Sequence, residues 1–104
     1  MAMAEYAWTS FNQNAKVFEC APQGNGRFHP SEKPKKLYTW LLNNYANEGD
    51  TILDTHVGSG NSLCACRETG HKYMGFEIDE EYYRLAKKRI DAAEAQQNIF
   101  DYIQ

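Results

Sequence analysis

The stretch TILDTHVGSGNSL, from Thr51 to Leu63, constrains the fold more than any other part of the chain. TILDT is a β-branched and aliphatic run and reads as a buried strand. It stops at HVGSGNS, where Gly58 and Gly60 permit a tight turn that a Cβ would hinder. SLCACRETG then carries small and apolar residues without a breaker until Gly70, so a helix follows. A strand entering a helix through a glycine turn is the first half of a βαβ unit, and such units build parallel sheets.

The flanks extend this pattern. KYMGFEI, ending in Glu77 and Ile78, reads as a second strand. Asp79 then offers a helix cap, with Glu80 and Glu81 in the first turn where the dipole favours acids. Tyr82, Leu85, Ala86, Arg89 or Ile90, and Ala93 form one stripe of a helix expected to run to about Gln97. NIFDYIQ reads equally as the end of that helix or as a short extra strand. Upstream, Leu37, Trp40, Leu41 and Tyr45 share one helical face, Pro34 suits the first turn of that helix, and NEGD ends it. EYAWTSF and AKVFEC read as two short strands, and APQGNGR between them and the helix as a loop. The expected fold is α/β and Rossmann-like: a small, largely parallel sheet flanked by helices and N-terminal strands. One domain fills residues 1–104, with the N-terminal strands and loop in 1–28 and the βα region in 29–97.

Composition narrows the function classes. With 42% hydrophobic residues the 104-residue chain suits one globular domain. A net charge of −3 gives no basic field of the kind duplex-binding proteins show. The short basic runs Lys33, Lys35, Lys36 and Lys87, Lys88, Arg89 read as solvated helix faces. No apolar run approaches the roughly 18 residues that span a membrane. MAMAEYAWTS lacks the features of a secretory signal, so a cytoplasmic location with reduced Cys20, Cys64 and Cys66 is expected. Cys64 and Cys66 stand two apart on a helix and face different ways, which suits packing rather than a shared metal.

Gly58 and Gly60 place the free N–H groups of a helix start beside an open turn. Leu63 occupies the third position of a full dinucleotide fingerprint, so the glycine pair alone is as consistent with a plain structural turn. Glu77 sharpens the reading. It ends the next strand roughly twenty residues on, where a carboxylate can accept both hydroxyls of an adenosine ribose. Together these features indicate a nucleoside-containing cofactor.

Three motifs in order resemble the DNA amino-methyltransferases of the circularly permuted beta group. HPSEKP, His29 to Pro34, is similar to the family's proline–lysine motif before a helix. DTHVGSG, Asp54 to Gly60, is similar to its glycine turn. GFE, Gly75 to Glu77, is similar to its acid-bearing strand end. The variant LDTHVGSG, with AWTSF and KVF upstream, looks most like a phage and prophage subset. The resemblance implies S-adenosylmethionine as cofactor and methyl transfer to an exocyclic amino group of adenine or cytosine in DNA. It implies that Ser31 and Lys33 reach the methionine end, lysine as a point charge for its carboxylate. Asp54, Gly58 and Gly60 would lie under the methionine portion, and Glu77 would hold the ribose. Thr55 and His56 replace the family's Pro-Phe. His56 would stand at the cofactor wall, with metal ligation or general-base use as minor alternatives.

The family's catalytic motif, [Asp/Asn/Ser]-Pro-Pro-aromatic, has no counterpart, because Pro22, Pro30 and Pro34 are all isolated. No residue is therefore assigned a catalytic role, and no metal site is assigned. The chain is expected to correspond to the C-terminal, cofactor-binding portion of such an enzyme, missing the catalytic half. DNA would then be a partner of the complete enzyme and a weak one, or none, of this chain. A homodimer or a complementing catalytic half is the expected protein partner. The competing readings are a non-catalytic interaction module that keeps the fold and a small dehydrogenase-like domain. Leu63 and the proline–lysine motif count against the latter.

Overall fold

The computed structural model describes residues 6–19 and 32–103, with residues 97–103 by their backbone only. The chain order is α1 (Lys35–Tyr45), β1 (Thr51–Asp54), α2 (Asn61–Glu68), β2 (Lys72–Gly75) and α3 (Glu80–Ile103). The two strands pair in parallel from Thr51↔Lys72 to Asp54↔Gly75. A parallel pair requires a crossover, which α2 supplies. Two further backbone bonds continue the pairing past β1 and β2: Phe76 N–H to the Asp54 carbonyl and Val57 N–H to the Phe76 carbonyl, each 3.0 Å. That extension carries the acid after β2 up beside the glycine turn after β1.

The core sits under α2, whose Ser62, Leu63, Cys64, Ala65 and Cys66 are all buried. Leu42 of α1 joins Ala65 and Cys66 at the centre, with Tyr38, Ala46, Ile52 and Tyr73 packed around them. Burying a leucine of this kind contributes about 1.5–3 kcal/mol. The residues that α1 brings to the core are thus Tyr38 and Leu42, with Ala46 just after the helix, not the expected stripe of Leu37, Trp40, Leu41 and Tyr45. The aromatic members of the expected stripe serve the N-terminal segment instead. Phe18 lies 5.5 Å from Trp40 and Phe11 lies 5.1 Å from Tyr45, ring centre to ring centre. Lys16 caps this contact, over the Tyr45 ring and bonded to Asn44 at 3.3 Å.

This packing corrects the expectation of N-terminal strands, because residues 6–19 form no strand. Their aromatic side chains find a helix face rather than a sheet edge, and β propensity without a pairing partner does not make a strand. Glu5, Cys20 and the loop that follows lie outside the described residues. At the other end NIFDYI continues α3, which runs helical to Ile103, and Gln104 lies outside the described residues. Asp79 caps that helix as expected, accepting the Tyr82 N–H at 3.0 Å. Pro34 stands one residue before α1, and its carbonyl accepts the Leu37 N–H at 3.0 Å.

The strands are covered on one face only. Leu53, Met74 and Phe76 are 59%, 56% and 57% exposed, and Ile78 is fully exposed. Because Leu53 pairs with Met74, and Phe76 stands two residues on and is still bonded to Asp54, these three share a face. The expectation that TILDT is buried is therefore met only in part: Ile52 is half-buried against the core and Leu53 is exposed, because α2 packs against one side of the sheet and no described residue covers the other.

Candidate functional site

The site is built where the C-terminal ends of β1 and β2 lie side by side, the usual ligand position in open α/β sheets. Asp54, the last residue of β1, organises the turn. Its Oδ1 accepts the His56 N–H at 2.9 Å, and its Oδ2 accepts the Ser62 hydroxyl. Gly58 and Gly60 follow with φ of 61° and 94°. At Gly60 a second constraint applies, because a Cβ there would lie 3.2 Å from both Cα and Cβ of Ala86 in α3. Gly60 thus serves the turn and the close approach of α2 to α3.

Glu77 completes the unit from the other strand. Its Oε1 accepts the Gly58 N–H at 2.6 Å and its Oε2 accepts the Asp79 N–H at 2.8 Å. A carboxylate offers about four acceptor positions, so two bonds leave capacity for a ligand. Leu63, which replaces the third fingerprint glycine, packs over Gly75: a Cβ on Gly75 would meet Val57 Cγ2 at 2.5 Å and Leu63 Cδ1 at 2.7 Å. The close helix–strand approach is therefore achieved by a glycine on the strand instead of one on the helix.

Of the remaining expected residues, Lys33 is half-buried and its carbonyl accepts the Asn61 amide at 2.9 Å. His56 is exposed, with Nδ1 at 2.8 Å from the Thr55 hydroxyl. Ser31 lies outside the described residues. The structure thus brings Lys33, Asp54, Gly58, Gly60 and Glu77 to one turn, with His56 on its outer side.

Sequence reasoning missed the centre of this arrangement. Glu32, between the two prolines, has a side chain only 6% exposed. Its Oε1 accepts Ser59 Oγ at 2.8 Å, Asn61 Nδ2 at 2.9 Å and Arg89 Nη1 at 3.2 Å. Arg89 also donates to Asn61 Oδ1 at 2.5 Å, so it is not a solvated member of a basic run. Its place in the apolar stripe of α3 was the available signal: a charge facing inward needs a buried partner. Tyr38 approaches the same place from α1; burial first, then the Asp54 and Glu32 carboxylates, push its phenol above the usual range. Burial also pushes Cys64 up, and Cys66 up to about 11.

An open groove of about 240 Å³ lies nearby between β2 and α3, lined by Val57, Leu63, Glu77, Tyr83, Ala86 and Ile90 among others. Among the described residues no cluster of histidine, cysteine or carboxylate side chains is arranged to hold a metal. No helix among them is long and apolar enough to cross a membrane.

The profile of the N6/N4 DNA methylase family matches residues 5–88. The type II methyltransferase M.HpaI of Haemophilus parainfluenzae is 38% identical over 68 residues, covering 65% of this chain and 22% of that protein. The DNA adenine methyltransferase YhdJ of Escherichia coli K12 is 34% identical over 65 residues, covering 62% of this chain and 22% of that protein. Among solved structures, the M1.HpyAVI–SAM complex superposes with a TM-score of 0.59 at 33% identity, over 61% of this chain and 32% of that one. The chain spans between 22% and 30% of the length of the curated relatives it matches.

Proposed function

The chain belongs to the N6/N4 DNA methylase family, and on that premise we propose that it forms the S-adenosylmethionine-binding part of a DNA methyltransferase acting on an exocyclic amino group of adenine or cytosine. The observation that carries the proposal is the Glu77–Gly58 hydrogen bond, which makes the acid and the glycine turn one preformed cradle. The residues fit the cofactor. A glycine turn without side chains, a carboxylate with acceptor capacity left, and a lysine tied to the start of α2 match a ligand with a ribose diol and a carboxylate-bearing tail.

S-adenosylmethionine supplies an electrophilic methyl group on its sulfonium centre. Everything else falls to the protein. Glu77 accepts the ribose hydroxyls. Lys33 would set its charge against the methionine carboxylate, and Ser31 would offer a hydroxyl at the same end. Asp54 acts beneath the methionine portion by fixing the turn through His56 N–H and Ser62. His56 borders the cofactor from the outer side. The motif order, proline–lysine segment before glycine turn before acid, supports a place in the circularly permuted beta group, and LDTHVGSG supports its phage-like subset. Cytoplasmic action on DNA follows from that role.

Methyl transfer requires an acceptor for the target amino group and an aromatic for the flipped base. The Pro-Pro-aromatic motif that provides both in the family is absent from this sequence. The isolated chain therefore binds cofactor without methylating DNA. A complementing catalytic half, or a second copy, covers the apolar face of Leu53, Met74, Phe76 and Ile78. Calorimetry with S-adenosylhomocysteine and with NAD tests the reading: the former binds and the latter does not. Binding of NAD alone would restore the dehydrogenase-like alternative.

A further inference from the structure

We infer that Glu32 and Arg89 are positioning residues that latch the Lys33 segment onto the glycine turn, so that capture of the cofactor's carboxylate end depends on a buried ion pair. The inference rests on the cofactor reading above and names a device within it.

One oxygen of Glu32 collects donors from three places: Ser59 in the glycine turn, Asn61 at the start of α2 and Arg89 in α3. Asn61 is the junction. Its Nδ2 bonds both Glu32 and the Lys33 carbonyl, and its Oδ1 accepts from Arg89. Lys33 therefore starts from a backbone held at its own carbonyl and, one residue earlier, by a buried carboxylate. A long, flexible lysine loses less freedom on binding an anion when its backbone is already fixed. The ion pair stands well inside the protein, with Glu32 only 6% and Arg89 25% exposed at the side chain, so removing either partner leaves the other charge in a poor environment. Neither residue is assigned contact with the cofactor. Their effect passes through the Lys33 segment.

Adenosine and S-adenosylhomocysteine separate this role from general support of the fold, because adenosine lacks the charged tail. The full chain and its Glu32→Ala, Arg89→Met and Lys33→Ala variants are titrated with both, after circular dichroism has shown native helix content. The expected result is a loss of S-adenosylhomocysteine affinity of about tenfold or more in Glu32→Ala and Arg89→Met, matching Lys33→Ala, with adenosine affinity unchanged. Equal losses for both ligands, or affinities like the parent's, would overturn the inference while leaving the cofactor reading in place. A parent chain that binds neither ligand would overturn the cofactor reading and the inference with it. Should Glu32→Ala fail to fold, Glu32→Gln carries the test: it keeps an acceptor for Ser59 and Asn61 and loses only the charge facing Arg89. Its expected loss for S-adenosylhomocysteine is smaller than that of Arg89→Met, again with adenosine unaffected; an equal loss for adenosine overturns the inference.

Discussion

Glu77 Oε1 accepts the backbone N–H of Gly58 at 2.6 Å, joining the acid after one strand to the glycine turn after the other. The acid is thus part of the turn it serves. Glu77→Ala should lower stability by about 1–3 kcal/mol, the cost of a charge-assisted bond and an unpaired N–H, as well as weaken cofactor binding. Glu77→Gln keeps an acceptor for one of the two N–H groups, Gly58 or Asp79, and turns an amide donor toward the other, so it should recover only part of the stability. Denaturant melts of both variants check this, and a Glu77→Ala protein as stable as the parent would show that the turn does not need the acid.

Gly60→Ala should destabilise more than a glycine change in an open loop. The backbone there has φ of 94°, and the new Cβ would press on Ala86 backbone in α3 at 3.2 Å. Strain of about 1–2 kcal/mol from the left-handed backbone adds to the overpacking. Gly49→Ala, with φ of 85° and open space around it, is the control that carries the backbone strain alone. The two melting curves should differ, Gly60→Ala unfolding first.

Alkaline pH should weaken the fold through Cys66. Burial first, then the Asp54 charge, raise its thiol from 9.0 to about 11. Between those values the unfolded chain has lost the proton and the folded chain keeps it, so stability falls as pH rises from about 9 to about 11, by at most about 1.4 kcal/mol per pH unit. Below that window the group has no effect. Urea titrations from pH 8 upward should show the slope in the parent and a shallower one in Cys66→Ala, where the raised Cys64 thiol and the raised Tyr38 and Tyr73 phenols remain.

The order of elements was legible because periodicity changes sharply at Gly58, Gly70 and Asp79, each with its own turn or cap chemistry. Leu42 was not, since Trp40 and Tyr45 gave α1 a second apolar stripe that the N-terminal segment uses. The same segment explains the false strands: Trp8, Phe11, Val17 and Phe18 have strand-like character, and nothing in the sequence says that Phe11 and Phe18 pack on α1 instead. In the site, Glu77 and the glycines could be found from spacing alone. Glu32, Ser59 and Asn61 could not, because each acts through partners 27 to 57 residues away.

The uncovered sheet face predicts assembly. Leu53, Met74 and Phe76 are each more than half exposed on one side of the sheet, and Ile78 beyond them is fully exposed. Light scattering across a tenfold concentration range should give a mass above the 12.0 kDa of one chain, and Phe76→Lys should return it toward that value. A parent that stays monomeric throughout would leave a complementing catalytic half as the proposed cover.

The central claim is that the glycine turn, Lys33 and Glu77 form one cofactor cradle. Backbone amide shifts of the ¹⁵N-labelled chain during titration with S-adenosylhomocysteine test it most directly. The account predicts saturable shifts at Lys33, His56, Gly58, Gly60, Glu77 and Ile78, with the far end of α3 unmoved. Shifts confined to the groove residues Lys87, Ile90 and Asp91, or no shifts at millimolar ligand, would contradict it.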